Sequence, residues 1–170
     1  MRFAEKIENF HIVLIKPSKY DDDGYVIRFW KGVLPSNTLN VLNGLTEDIK
    51  ERRIFGDLRI EVTTFDETAE KIPLHKIIRW SRKPGTKLLV CLVGVQTNQF
   101  PRAVDMAKIL RAEDIPVIMG GFHTSGTINM LGEQEPDIQE LVRENICVVS
   151  GEVEIVRPSG AAETLVTVHH

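Results

Sequence analysis

The chain has 170 residues, 42% of them hydrophobic and 26% charged, which suits one globular domain able to bury roughly two thirds of its unfolded surface. A net charge of -3 and a pI near 6.0 give no basic excess for nucleic acid or an anionic membrane surface. Two cysteines, Cys91 and Cys147, lie within apolar runs and read as buried thiols of a reducing compartment, so a disulfide scaffold is excluded.

The opening residues scatter charge (Arg2, Glu5, Lys6, Glu8) where a signal peptide needs an apolar stretch, and no run approaches the roughly 20 apolar residues of a membrane helix. The expectation is a cytoplasmic protein. His11-Ile12-Val13-Leu14-Ile15 is a β-branched run closed by Lys16-Pro17-Ser18 and reads as a buried first strand. A polar loop follows, and residues 25–30 are ambiguous between a short extension and packed loop. Ser36 or Asn37 caps a first helix whose stripe is Leu39, Val41, Leu42, Leu45 and Ile49. A second strand is expected over residues 58–63.

Asp66 is then expected to cap a second helix carrying Ile72, Ile77, Ile78 and Trp80, which Pro73 must break or restart. After the turn Lys83-Pro84-Gly85, residues 87–95 form the clearest buried strand. Pro101 opens a third helix through Leu110, and residues 115–119 form a fourth strand stopped by Gly120-Gly121. A last helix at 137–144 and a fifth strand at 146–149 complete a βαβ series. The predicted fold is doubly wound α/β, with a five-stranded, mainly parallel sheet in residues 1–152. Residues 153–170 are expected to be a C-terminal extension, either hairpin or disordered.

In such sheets a ligand binds beyond the carboxyl ends of the strands. That rule selects four loops, at residues 16–24, 96–100, 120–126 and 150–152. The first contains no Gly-x-Gly-x-x-Gly turn and no phosphate-cradling Gly-Lys-Ser/Thr loop, so the familiar nucleotide sites are absent. Asp21-Asp22-Asp23 resembles the acidic cluster of a receiver module, but the aspartate and lysine that such a module needs after its third and fifth strands are missing. The three aspartates read as a solvated turn. Adjacent glycines at 120 and 121 remove side chains where a ligand or a neighbouring backbone comes close.

Gly94-Val95-Gln96-Thr97-Asn98-Gln99-Phe100-Pro101-Arg102-Ala103, with Ile115-Pro116-Val117-Ile118-Met119-Gly120-Gly121-Phe122-His123-Thr124-Ser125-Gly126, resembles the N-terminal cobalamin-binding domain of cobalamin-dependent radical S-adenosylmethionine proteins. The segment from Lys16 through Ser18 and Tyr20 to Tyr25, and the late Ser150-Gly151-Glu152, are similar to the same family, so the likeness covers roughly residues 10–152. The resemblance implies a Rossmann-like, flavodoxin-like domain with a corrin ring flat over the strand ends and its nucleotide tail descending beside the fourth strand. It implies cofactor contacts at Ser18, Tyr20, Gln96, Thr97, Asn98, Gln99, Gly120, Gly121, Phe122, His123, Thr124, Ser125, Gly151 and Glu152. It also implies cobalamin held base-off, because the first loop lacks the histidine of the Asp-x-His-x-x-Gly pattern found in mutases and methionine synthase.

The radical chemistry of that family needs a Cys-x-x-x-Cys-x-x-Cys run for an iron–sulfur cluster, which this chain lacks. The expectation is therefore a cobalamin-binding module that is not catalytically complete. It would be a piece of a larger enzyme, a free-standing descendant, or a domain acting with a separate radical S-adenosylmethionine subunit. Two other readings stand beside it. One is a non-catalytic α/β interaction domain that has lost corrinoid binding. The other is a small enzyme using His123 and Glu152 as base and acid.

Overall fold

The computed structural model describes residues 6–29 and 36–151. Five strands form one sheet, every pair parallel: β1 (Asn9–Lys16), β2 (Arg59–Asp66), β3 (Thr86–Leu92), β4 (Val117–Gly120) and β5 (Cys147–Val149). Their order is β2-β1-β3-β4-β5, the flavodoxin-like doubly wound arrangement, so the predicted fold class is observed. Between them run α1 (Asn37–Glu51), α2 (Leu74–Ser81), α3 (Phe100–Arg111), α4 (Phe122–Leu131) and α5 (Pro136–Arg143). Glu152 and the expected extension at 153–170 lie outside the described residues, as does Trp30.

Alternation along the strands divides the core. Val13, Ile15, Val90, Leu92, Val117, Met119 and Val148 face one side, where Ile77, Ala103, Val104, Leu110, Ile138 and Leu141 from α2, α3 and α5 cover them. On the other side Leu14 and Val93 pack beneath Leu39 of α1. The register continues this second face across the sheet as the row Leu14, Cys91, Ile118, Cys147. Burial falls along it: Leu14 is 3% exposed, whereas Ile118 and Cys147 are only half-buried.

The Ser36 side chain does cap α1, accepting from the Leu39 N–H at 3.4 Å. Two residues of the expected stripe, Val41 and Leu45, are nevertheless exposed, because α1 covers only β1 and β2 and presents a narrow face to them. Asp66 does not cap a helix. It ends β2 and closes a turn, accepting from the N–H and hydroxyl of Thr68, and α2 begins only at Leu74, after Pro73. Residues 25–29 are loop, joined to the chain by a bridge between Tyr20 and Val26 and a bond from Phe29 N–H to the Thr68 carbonyl. The segment after Gly121, read as loop, is helical from Phe122 onward.

Candidate functional site

The segments following β3, β4 and β5 are hydrogen-bonded into one rim at the carboxyl edge of the sheet. Val95 N–H donates to the Gly120 carbonyl at 3.2 Å, and His123 N–H donates to the Val95 carbonyl at 3.0 Å. The Thr124 hydroxyl lies within 3.3 Å of the Val149 carbonyl, and Gly151 N–H donates to Ser125 Oγ at 3.1 Å. Between β3 and α3, Thr97–Gln99 form a single 3-10 turn. Gln96 N–H donates to Gln99 Oε1 there, while the Gln96 side chain answers the last turn residue in a reciprocal cap.

The expected site residues separate into two groups. Gln96, Thr97, Asn98, Phe122 and Gly151 are exposed on the rim, and Ser125 is half-buried beside them. Phe122 is 76% exposed. Gln99, His123 and Thr124 are buried instead. Gln99 is the buried half of its cap, and Thr124 is fully buried with its hydroxyl satisfied by main chain.

The two adjacent glycines do not open a hollow. A Cβ at Gly121 would lie 2.2 Å from Val95 N, so the space that a side chain would need is filled by the neighbouring loop's backbone. At Gly120 a Cβ would meet Val149 Cβ at 3.4 Å. Close backbone approach explains the pair, and the expected passage of a nucleotide tail beneath Gly121 is closed. The rim glycines with open space beside them are Gly126 and Gly151.

Ser18 and Tyr20 belong to a separate network. Glu67, 1% exposed at the end of β2, accepts from the Ser18 N–H at 3.1 Å and from Arg102 through Nε and Nη2, the shorter contact 2.6 Å. The Ser18 hydroxyl donates to the Ile27 carbonyl, so it too faces protein. Tyr20 donates to Asp105 Oδ2 at 2.6 Å and accepts from Arg102 Nη1 at 3.4 Å. Burial first, and the bond to Asp105 second, raise the Tyr20 pKa above its ordinary value. This network pins the long loop after β1 to β2 and α3. Nothing in spacing alone marks Glu67, Arg102 or Asp105 as one cluster.

His123 is the most constrained rim residue. It is 8% exposed, its ring lies 4.2 Å from that of Phe100, and both nitrogens are engaged. Nε2 is 3.0 Å from Asp137 Oδ2 in the first turn of α5, and Nδ1 is 3.4 Å from Thr97 Oγ1. To ligate a metal it would have to release one of them. Among the described residues, no three His, Cys, Asp or Glu side chains gather as a metal site, and no helix is long and apolar enough to cross a membrane. A groove lined by Lys50, Arg53, Phe55, Arg59 and Glu61 lies between the end of α1 and the start of β2, away from the rim. In comparison with known proteins, the chain matches no family model, no curated protein and no solved structure.

Proposed function

We propose that the rim carries a corrinoid, and that the chain is a cobalamin-binding module without the catalytic machinery of a radical enzyme. The observation that carries this reading is the union of three strand-end segments into one surface, from which Gln96, Thr97, Asn98 and Ser125 offer amides and hydroxyls beside an exposed Phe122. A corrin is flat, apolar across its faces and fringed with carboxamides, and it calls for such an arrangement. Covering a few hundred Å² of apolar surface at roughly 25 cal/mol per Å² gives on the order of 10 kcal/mol before association costs.

The fit is to the upper surface only. A nucleotide tail has no way down beside Gly121, and the open faces at Gly126 and Gly151 are the ones that would receive it. His123 would stay with Thr97 and Asp137, so the bound form would be base-off and free of protein histidine. Ser18 and Tyr20 would shape the rim through Glu67 and Arg102 without touching the ligand. A radical S-adenosylmethionine domain or subunit in a cytoplasmic setting is the partner this reading calls for. The test is gel filtration with hydroxocobalamin: co-elution at one equivalent supports the reading, and complete separation overturns it.

One observation favours an interaction domain instead. Phe122 and Met130, two helical turns apart, are exposed together with Leu131 on a helix without a single charged residue. A stable oligomer by light scattering, with no corrinoid retained, would favour that second reading.

A further inference from the structure

We infer that Thr97, His123 and Asp137 form a general-base-activated hydroxyl, a nucleophilic site for acyl transfer from small activated esters. This inference does not rest on corrinoid binding. The three side chains come from the turn after β3, the start of α4 and the first turn of α5, and they stand in line. Asp137 Oδ2 lies 3.0 Å from Nε2, and a carboxylate there selects the tautomer that donates from Nε2. That tautomer leaves the Nδ1 lone pair facing Thr97 Oγ1 at 3.4 Å, a length common for catalytic hydrogen bonds in ligand-free sites. Phe100 against the ring and its burial hold the imidazole in this orientation, while Thr97 itself is exposed to an incoming ester.

The hydroxyl also has donors beside it. Among the described residues, the backbone N–H groups of Thr97 and Asn98 meet no protein acceptor, as expected of the first residues of a helical turn, and are the donors nearest in the chain to the Thr97 hydroxyl. In the first step a bond forms between Thr97 Oγ1 and the acyl carbon, the hydroxyl proton passes to His123 Nδ1, and the bond to the leaving alkoxide breaks as that group takes the proton. In the second step water gives its proton to Nδ1, its oxygen bonds to the acyl carbon, and Thr97 is released with its proton restored. Asp137 touches no reacting atom and is a positioning residue.

The experiment uses the full 170-residue chain and p-nitrophenyl acetate, without corrinoid. Expected are saturable nitrophenolate release and an acetyl group on the peptide containing Thr97. Thr97→Val removes the hydroxyl from an exposed position and should lower kcat about a hundredfold, to the level of His123→Gln, while Thr97→Ser retains turnover. Asp137→Asn should lower kcat with KM unchanged. Circular dichroism confirms that each variant is folded. A Thr97→Val protein as active as the parent, or parental release no faster than that of His123→Gln, overturns the proposal.

Discussion

Gly121 lies so close to Val95 that a Cβ on it would sit 2.2 Å from the Val95 amide nitrogen, and its φ of 150° is one that side chains rarely adopt. Steric overlap and backbone strain therefore act together in Gly121→Ala, with an expected loss of about 3 kcal/mol or more. Gly126 is the control, a helical glycine with open space where the methyl would go. Gly126→Ala should gain up to about 1 kcal/mol. Urea unfolding midpoints check both, and equal midpoints for Gly121→Ala and parent would contradict the packing.

The Glu67–Arg102 pair predicts a strongly non-additive result. With the Glu67 side chain 1% exposed and that of Arg102 16%, the carboxylate has no water to fall back on and the guanidinium only a little. Arg102→Met leaves the carboxylate buried with only the Ser18 N–H, and is expected to cost about 3 kcal/mol or more. Adding Glu67→Leu removes the stranded charge and should recover most of that loss. A double-mutant cycle by chemical denaturation measures the coupling, and simple additivity would show that the pair is energetically idle.

How far the sequence reveals these features depends on their range. Buried runs such as His11-Ile12-Val13-Leu14-Ile15 are legible because a strand covered on both faces must be apolar throughout. Ser36 is legible because a cap acts within three residues. Helix α4 is not: Phe122–Leu131 has glycine, serine and threonine at its centre and no polar face, so no helical period emerges. Asp66 misleads because the same side chain that caps helices also closes turns. At the site, the rim loops follow from strand order, and His123 stands out as the imidazole at that edge. Its partner Asp137 and the Glu67–Arg102 pair arise from tertiary packing between segments whose separation carries no local signal.

His11 sets a pH dependence of stability. Burial is the largest influence on its imidazole and lowers the pKa below 6.5, with Glu61 opposing the shift and Lys83 adding to it. The unfolded chain thus takes up a proton near pH 6.5 that the folded chain accepts only at lower pH. Stability is complete above that value and falls as pH drops below it. Between pH 7 and 5 the parent should lose stability more steeply than His11→Gln. Parallel curves for the two proteins would remove His11 as the cause.

The two cysteines should react slowly while the protein is folded. Burial, and secondarily Cys147, push the Cys91 thiol up to about 12, leaving roughly one part in ten thousand as thiolate at pH 8. Burial raises Cys147 as well. In the register they flank Ile118, two strand spacings or about 9.6 Å apart, beyond the reach of a disulfide. Ellman titration should find slow reaction in buffer and two equivalents in guanidinium, with no internal disulfide after mild oxidation. Rapid labelling of Cys91 in the native protein would contradict its burial.

The central claim is that the rim formed by the Gln96, Phe122 and Gly151 segments holds a corrinoid in its base-off form. Titrating the protein into hydroxocobalamin while recording the visible spectrum tests it directly. The account predicts a saturable shift toward the base-off spectrum, weakened at least tenfold by Asn98→Ala with Ser125→Ala and unaffected by His11→Gln. A spectrum that stays unchanged with protein in excess, and dialysis that removes every trace of colour, would contradict it.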